Sequence, residues 1–405
     1  AEWAKFAAAT LNEALDTAWR TPRLQKTLTQ LPPQGETLPG LFVLGLGKLG
    51  GRDLNYSSDV DLVAFFDPNM VPIKPHEGKT DICNRVLKEM TQLIAGKTED
   101  KRVWRVDWRL RPDPSVTGLA MSTEAGLEFF AFKSAPWRRL AMMKARVVAG
   151  DKKAGEAFLD RLNSFVWRRS LDFRALDEIA AMKERIKQEH PGLGGSEPGQ
   201  TGLETSDHFH IKLGAGGIRE IEFSVNALQL IWGGRWPDLR TTNTLEALSI
   251  CAKRSIVDEI DADVLHKAYI FLRRLENAAQ MLRDAQTHLV PDDLEERALI
   301  AKMMGFEKWR ELDCELSRHR GKVSAIFQKS MNGANTNETS SIPKPDLEVS
   351  EEGNAIFETW QAGFLVQGAT PDQGASLAGL ENHLLAAANR QSDLETSLKS
   401  MDTFL

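Results

Sequence analysis

The order of apolar and polar residues predicts a mixed sheet domain in the first part of this chain. Two apolar runs, 41–46 and 60–66, have the length and composition of buried strands. A third segment, 103–111, alternates strictly between apolar and polar residues, which is typical of a strand with one buried face. A helical period over 79–95 places a helix between the second and the third strand.

Beyond this domain the apolar residues recur almost everywhere with a helical period. That period covers 154–331, and it also predicts helices over 1–30 and near 123–133. We therefore expect an α+β fold that is mostly helical, with a mixed-sheet domain followed by a helical bundle. The clearest apolar stripe of the helical part consists of Phe271, Leu272, Leu275, Ala278, Ala279 and Leu282.

Shifts in composition divide the chain further. It begins with Ala1 inside an apparent helix and stops within an Ala- and Leu-rich stretch, so we expect a piece of a longer protein. The predicted segments are an N-terminal helical segment (1–37), the mixed domain (38–153), the helical bundle (154–331), a linker (332–354) and the start of a further helical region (355–405).

The composition narrows the class of protein. A net charge of −6 argues against a general nucleic-acid binder, which would carry a basic excess. The 3 cysteines are far apart, which suits reduced thiols rather than a disulfide framework or a zinc site. The sequence has neither a signal-peptide pattern nor an apolar run of membrane length. We expect a cytoplasmic protein that binds neither nucleic acid nor a membrane.

The most informative segment joins the first two strands and has the sequence GLGKLGGRDLNYSSDVDL over 45–62. Asp59 and Asp61 stand two residues apart at the start of the second strand, so their side chains share one face of the sheet. Carboxylate oxygens suit Mg²⁺, and the backbone N–H groups of a glycine-rich turn suit the phosphate chain of a nucleotide. The segment predicts a metal-dependent nucleotidyl-transfer site.

Two alternatives account for the same segment. Gly45, Gly47 and Gly50 match the dinucleotide-binding fingerprint after an apolar run, with Asp67 further along as its acid. That fingerprint needs a long helix directly after the glycines, whereas 52–58 is rich in poor helix formers. The other alternative is a solvated turn followed by two aspartates without a function.

A third carboxylate lies in the alternating segment. Arg105, Asp107, Arg109 and Arg111 are expected to line one face of that strand, with apolar residues on the other. Phosphoryl chemistry requires carboxylates that hold metal and guanidinium groups that meet developing charge. We therefore predict that Asp107 joins the two aspartates of the second strand as metal ligand and catalytic residue. The alternative is an edge strand with a wet, charged face.

A second glycine-rich turn opens a helix in the helical part, with the sequence GAGGIREIEF over 214–223. Its N–H groups suit an anion. Helical spacing puts Arg219 and Glu222 on one face and Glu220 elsewhere, and the face with Glu222 could reach the aspartates. The alternative is an ordinary amphipathic helix. The polar stripe continues with Asn226 and Gln229, and the apolar stripe consists of Ile218, Ile221, Val225, Leu228 and Trp232.

A basic segment, WRRLAMMKAR over 137–146, closes the mixed domain. Arg139, Lys144 and Arg146 either contact phosphate or form a solvated basic helix face.

Together these motifs resemble one family, the glutamine synthetase adenylyltransferase and adenylyl-removing enzymes. The resemblance spans roughly 38–331 in a consistent order and implies a nucleotidyltransferase-type, polymerase-beta-like domain. Family members carry a half that adds AMP and a half that removes it, and 216–223 resembles the N-terminal, AMP-removing half. The segments that carry the resemblance are 47–62, 105–112, 137–146 and 216–223.

The resemblance implies phosphorolysis: inorganic phosphate attacks the adenylyl-tyrosine of glutamine synthetase and gives ADP and free tyrosine. It also implies Mg²⁺, with Mn²⁺ as a substitute, on Asp59, Asp61 and Asp107, glutamine synthetase as substrate and the PII signal protein as regulator. Glu222 is a further catalytic candidate. The implied nucleotide and phosphate ligands are Gly47, Lys48, Gly50, Gly51, Ser57, Ser58, Arg109, Arg111, Arg146, Gly216, Gly217 and Arg219.

The sequence leaves two other functions open. The same carboxylates would serve the addition of AMP from ATP to glutamine synthetase, because the triad supports either direction. A docking and sensing module with a vestigial site is the non-enzymatic alternative.

Overall fold

The fold is described from a computed structural model. The chain divides into two compact units, 1–336 and 337–405, and the described residues belong to the first. The predicted linker beyond residue 332 and the predicted region 355–405 lie outside them. The described residues are 2–33, 36–96, 102–134, 137–167 and 209–332.

The first part alternates strands and helices as the apolar pattern predicts. The helix that begins at Thr123 has Ser122 as its N-cap, and the Ser122 hydroxyl accepts a hydrogen bond from the backbone N–H of Ala125. The elements are α1 (Glu2–Trp19), α2 (Pro22–Gln25), β1 (Leu41–Gly45), α3 (Gly47–Gly50), β2 (Asp59–Phe66), α4 (Lys79–Ala95), β3 (Arg105–Asp107), β4 (Ala120–Ser122), α5 (Thr123–Glu128), a π-helix (Phe129–Lys133), α6 (Trp137–Met142) and β5 (Arg146–Gly150).

Apart from turns and an isolated antiparallel bridge between His210 and Leu289, the described residues of the second part are helical. Side chains of Asp151, Asn243 and Asp293 cap three of its helices by accepting a backbone N–H of the first turn. The elements are α7 (Lys152–Val166), α8 (Ile218–Trp232), a 3₁₀-helix (Pro237–Leu239), α9 (Thr244–Lys253), α10 (Glu259–Arg283), α11 (Leu294–Met304) and α12 (Trp309–Asn332).

The strands form a mixed sheet in the order β3-β2-β1-β5, with β4 also paired to β2. β1 runs antiparallel to β2 and β5, whereas β3 and β4 run parallel to β2. A dinucleotide-binding unit needs parallel strands joined by a long helix. Here α3 has 4 residues and its flanking strands are antiparallel, so the dinucleotide-binding alternative is wrong.

The alternation of β2 divides its side chains between two cores. Val60 and Leu62 pack in the core that includes α1 and α4, whereas Val63 and Phe65 pack in the core that includes Phe158 of α7. Asp59 and Asp61 belong by alternation to the second face, at the end where the strand begins. A third core lies among α8–α12.

Two predicted elements differ from the structure, and two short strands of the structure are absent from the prediction. The helix predicted over 1–30 ends at Trp19, because Pro22 begins a separate turn of helix. The strand predicted over 103–111 is limited to Arg105–Asp107, because the chain turns where the N–H of Arg111 donates to the carbonyl of Trp108. The short strands β4 and β5 were not predicted.

Other expectations are confirmed. The helix predicted over 79–95 is α4, and the predicted strands over 41–46 and 60–66 match β1 and β2 within one residue. In α10, the predicted apolar stripe lies in the helical core. No described helix is both long and apolar enough to cross a membrane.

Candidate active site

The sheet brings the three predicted carboxylates to one end of two neighbouring strands. β2 and β3 pair in parallel with Asp59 opposite Arg105 and Asp61 opposite Asp107. Asp61 and Asp107 are therefore direct cross-strand neighbours, and Asp59 is two residues from Asp61 on the same face. Strand pairing alone concentrates negative charge at this edge.

The pKa of Asp61 responds both to burial and to that negative charge. Burial, together with the charges of Asp107 and Asp59, raises the pKa of Asp61 to about 6. Burial also acts to raise the pKa of Asp107, but hydrogen bonds from the side chain and backbone N–H of Arg109 outweigh it, so this pKa is lowered.

Two arginines partner the outer carboxylates. Nε of Arg105 donates to Oδ1 of Asp59 at 2.7 Å, and its Nη2 reaches Oγ of Ser57 at 2.9 Å. Nε of Arg109 lies 2.8 Å from Oδ2 of Asp107, while the Arg109 side chain is 85% exposed and open to an incoming anion. Arg105, which was not among the predicted ligands, thus holds Asp59.

Arg111 does not join this group as the longer strand predicted. Its Nη1 donates to the carbonyl of Trp108 at 2.9 Å and its Nη2 to the carbonyl of Pro114 at 3.0 Å. The turn that ends β3 directs this guanidinium to backbone carbonyls. Arg111 therefore stabilises the turn.

The donor set fits a hard divalent cation. Carboxylate oxygens from Asp59, Asp61 and Asp107 are the ligands that Mg²⁺ prefers. Burial first, and then the charges of Asp107 and Asp59, raise the pKa of Asp61, and a bound cation would favour its ionised form. Within the described residues no three Asp, Glu, His or Cys side chains already surround a common point, and Asp59 and Asp107 are instead turned towards arginines.

The first glycine turn allows close approach rather than offering free donors. Gly47 has φ +50°, and a Cβ there would lie 2.6 Å from Oδ2 of Asp61. The N–H groups of Gly50 and Gly51 donate to the carbonyls of Leu46 and Gly47. That of Ser57 donates to Oε1 of Gln280 at 3.2 Å. The amides predicted to bind phosphate thus have partners within the chain.

The predicted cations of this turn and of the basic segment 137–146 also have partners within the chain. Nζ of Lys48 donates to Oε1 of Glu276 at 2.9 Å, and burial lowers the pKa of Lys48 to about 8 although Glu276 opposes that shift. Nη2 of Arg146 donates to the carbonyl of Leu49 at 3.0 Å. The side chain of Lys144 donates to Oγ1 of Thr244. Arg139 is buried.

The second glycine turn is closed by its own helix. The carboxylate of Glu220 accepts the N–H of Gly216 at 2.9 Å, and the N–H of Gly217 donates to the carbonyl of Gly214. Oε1 of Glu222 lies 3.5 Å from the hydroxyl of Tyr269. Glu220 and Glu222 thus point to different partners, as the helical spacing predicts.

The polar stripe of α8 differs from the prediction. Burial lowers the pKa of Arg219, whose guanidinium lies over the ring of Phe223. Asn226 is buried, and Nε2 of Gln229 donates to the carbonyls of Leu239 and Thr241. Much of the stripe therefore packs against the chain itself, because α8 lies between two cores.

The polar face of α10 was not predicted from the sequence. Tyr269, Arg273, Glu276 and Gln280 are buried, and their spacing of four, three and four residues puts them on one side of the helix. The apolar stripe of α10 was predicted, whereas this second, polar period was not. It was the available signal for a contact with the active-site segment.

Two sequence families match parts of this chain. Residues 1–161 match the family described as glutamate-ammonia ligase adenylyltransferase. Residues 180–331 match the family described as GlnD PII-uridylyltransferase.

Several similar curated proteins bear the name bifunctional glutamine synthetase adenylyltransferase/adenylyl-removing enzyme. The protein from Bradyrhizobium diazoefficiens is 38% identical over 345 residues, which cover 83% of this chain and 34% of that protein. The one from Agrobacterium fabrum is 36% identical, covering 99% of this chain and 42% of that protein. The chain belongs to this family of nucleotidyltransferase enzymes. It spans less than half the length of these two relatives.

Proposed function

We propose that this chain removes AMP from the adenylylated tyrosine of glutamine synthetase by phosphorolysis and releases ADP. The observation that carries the proposal is the meeting of Asp59, Asp61 and Asp107 at one sheet edge beside the exposed guanidinium of Arg109. Carboxylates and an exposed arginine are what an attacking phosphate and an adenylyl phosphate require. The names of the relatives support glutamine synthetase as the substrate.

The same arrangement supports a polymerase-beta-like nucleotidyltransferase domain. A mixed sheet carries an acid pair at the start of one strand and a third acid on its parallel neighbour. A glycine turn stands before that pair in the sequence, and its Gly47 permits close approach to Asp61. The predicted boundary of this domain near residue 153 remains part of the proposal.

Asp59, Asp61 and Asp107 would hold Mg²⁺, or Mn²⁺ in its place. Such an ion would neutralise phosphate charge as the new bond forms. Arg105 orients Asp59 through its hydrogen bond to Oδ1, whereas Arg109 is free to exchange Asp107 for an incoming phosphate.

In the proposed reaction an oxygen of inorganic phosphate attacks the adenylyl phosphorus. The bond from that phosphorus to the tyrosine oxygen breaks, and the tyrosine oxygen takes up the proton that the attacking hydrogen phosphate loses. ADP and an unmodified tyrosine result, so atoms and charge balance. The guanidinium of Arg109 would steady the attacking phosphate.

Some predicted ligands stay predictions. Glu222 lies against Tyr269, and a catalytic role would require it to act from there. Phosphate binding by Lys48 would have to displace Glu276, and binding by the N–H groups of Gly50, Gly51 and Ser57 would have to displace acceptors within the chain.

The PII signal protein is the proposed regulator. The match of residues 180–331 to a family described as a PII-uridylyltransferase supports a relation to PII. We place the reaction in the cytoplasm on the basis of reduced, unpaired cysteines.

The direction of the reaction is tested with two forms of glutamine synthetase. We expect adenylylated enzyme plus Mg²⁺ and phosphate to release ADP, and unmodified enzyme plus ATP to incorporate no AMP. AMP incorporation without ADP release would assign the chain to the adding class. Inactivity in both assays, with PII present and absent, would favour the docking module.

A further inference from the structure

One side of α10 faces the segment that leads into the catalytic strand. Tyr269, Arg273, Glu276 and Gln280 lie on that side and are 0–8% exposed. Such burial of polar groups is costly unless each is paired. Their partners belong to the segment 53–57, between the glycine turn and Asp59.

The segment runs along the helix with matched partners. The hydroxyl of Tyr269 lies 2.6 Å from Oδ2 of Asp53, and the guanidinium of Arg273 donates to the carbonyl of Asp53. Further on, Oδ1 of Asn277 accepts the N–H of Tyr56 at 3.2 Å. Oε1 of Gln280 accepts the N–H of Ser57 at 3.2 Å, as described above.

Beyond the end of α10 the same series reaches a predicted metal ligand. Nε2 of Gln286 lies 3.2 Å from Oδ2 of Asp59. As the segment advances from Asp53 to Asp59, its partners advance from Tyr269 to Gln286. Helix and segment therefore lie side by side in the same direction.

Glu276 is the centre of this contact. Its carboxylate accepts from Lys48 at 2.9 Å, from Nδ2 of Asn55 at 2.5 Å and from Arg273 at 3.0 Å, and Nδ1 of His288 lies 2.6 Å away. Glu276 is fully buried. Although burial opposes it, these partners lower the pKa of Glu276 and keep it ionised.

The charges around Glu276 explain why Lys48 turns inward. The side chain of Lys48 is 14% exposed, and Glu276 is the carboxylate that it contacts. Removing one member of such a buried pair leaves the other charge without compensation. Lys48 therefore connects the glycine turn to α10, and Asn55 connects the following segment to the same carboxylate.

We propose that Glu276 is a positioning residue: through Lys48 and Asn55 it fixes the segment 53–57 against α10 and thereby sets where Asp59 stands. The consequence for metal binding rests on the proposed function, since it treats Asp59 as a ligand. The contact itself does not, because it concerns only the chain.

The first test is Glu276→Gln in the full 405-residue chain. Gln keeps the size and an acceptor oxygen but removes the charge that faces Lys48 and Arg273. Hydrogen exchange of the Tyr56 and Ser57 amides should accelerate at least about tenfold. Without the Glu276 charge, the segment 53–57 is no longer fixed against α10, where Asn277 and Gln280 accept these two N–H groups. Unchanged exchange at both amides would overturn the proposal.

The second readout is binding of Mn²⁺ to the same protein, measured by electron paramagnetic resonance. Affinity should fall about tenfold, the low end of the effect of groups that orient metal ligands. Wild-type protein that binds no Mn²⁺ would refute the proposed metal site, whereas the amide exchange would still decide the positioning role. Unchanged Mn²⁺ affinity in the variant would contradict the link to Asp59.

Leu316→Ala is the matched control. Leu316 is fully buried in the helical core, so its truncation destabilises the bundle without touching the segment 53–57. It should leave Mn²⁺ affinity unchanged and should not single out the Tyr56 and Ser57 amides. If Leu316→Ala lost as much Mn²⁺ affinity as Glu276→Gln, the effect of Glu276 would be one of general stability. That result would overturn the proposal.

Two further variants keep the test decisive if Glu276→Gln folds poorly. Asn277→Ala, at a half-buried position, removes the acceptor of the Tyr56 N–H and should speed exchange there. Adding Lys48→Met to Glu276→Gln removes both charges, so the double variant should recover part of the lost Mn²⁺ affinity. Additive losses would show that Lys48 acts independently of Glu276.

Discussion

At the scale of single residues, the sheet register determines the chemistry. Asp61 and Asp107 face each other because β2 and β3 run in parallel, and Asp59 stands on the same face. Two arginines contact these carboxylates in different ways. Arg105 donates a hydrogen bond to Asp59, while Arg109 is exposed beside Asp107. The site is therefore acidic at its centre, with an exposed cation at its rim.

Asp61→Asn should abolish activity and raise stability. We expect the rate of ADP release to fall more than about 100-fold, since even residues that only orient metal ligands contribute about 10- to 100-fold. In metal-free buffer at neutral pH the melting temperature should rise by about 2 °C or more, because the burial and the charges of Asp107 and Asp59 that raise the pKa of Asp61 no longer act on a carboxylate there. Both are measured on one preparation. Wild-type activity would refute the catalytic assignment.

Arg109→Ala should weaken the binding of phosphate and leave the binding of the protein substrate unchanged. Loss of a charged hydrogen bond worth about 1.5–3 kcal/mol predicts a KM for phosphate raised about 10- to 100-fold. The KM for adenylylated glutamine synthetase should stay the same. Arg254→Ala, which removes a surface pair with Asp238, is the control and should change neither constant. An unchanged phosphate KM in Arg109→Ala would exclude this arginine from the phosphate site.

At the scale of elements, the glycine turns are shaped by what lies close to them. Gly216 has φ +74°, and a Cβ there would lie 2.2 Å from the carbonyl oxygen of Arg320 in α12. Gly47 similarly leaves room for Asp61. These glycines are required by close packing of neighbouring elements.

Gly216→Ala should therefore destabilise the helical part. The left-handed conformation alone costs an L-residue about 1–2 kcal/mol, and the contact with α12 adds to it. Gly321→Ala, in α12, meets nothing within 4 Å and should be neutral or stabilising by up to about 1 kcal/mol. Urea unfolding compares the two free energies of unfolding. Equal values would contradict the packing described for this turn.

Local patterns could be predicted from the sequence, and distant pairings could not. The shared face of Asp59 and Asp61 follows from the two-residue period of a strand, and α4 follows from its apolar stripe. β5 is missed because its five residues gain their stability from pairing with β1. The contact between Asn55 and Glu276 joins residues 221 apart, and no local period indicates which segment will face a polar helix side.

At the scale of the whole molecule, the described residues form two helical layers around the sheet and a helical bundle whose α10 reaches the segment 53–57. The bundle thus contributes to the site as well as to the fold.

Burial of the thiols gives a test of this packing. Cys83 and Cys251 are buried, and burial raises the pKa of each to about 12, whereas Cys314 is exposed. Because the thiolate is the reactive form, a thiol reagent at pH 8 should label one cysteine quickly and all three only in denaturant. Cys314→Ser should remove the rapid phase. Rapid labelling of Cys83 or Cys251 in native protein would contradict the described cores.

The central claim is that this chain uses phosphate to remove AMP, and isotopic labelling tests it most directly. Labelled inorganic phosphate is supplied with adenylylated glutamine synthetase and Mg²⁺, and the ADP formed is analysed. We predict that the label appears in the β-phosphate of ADP and is lost in Asp61→Asn. AMP or unlabelled ADP as the product, or equal labelling by the variant, would contradict the account.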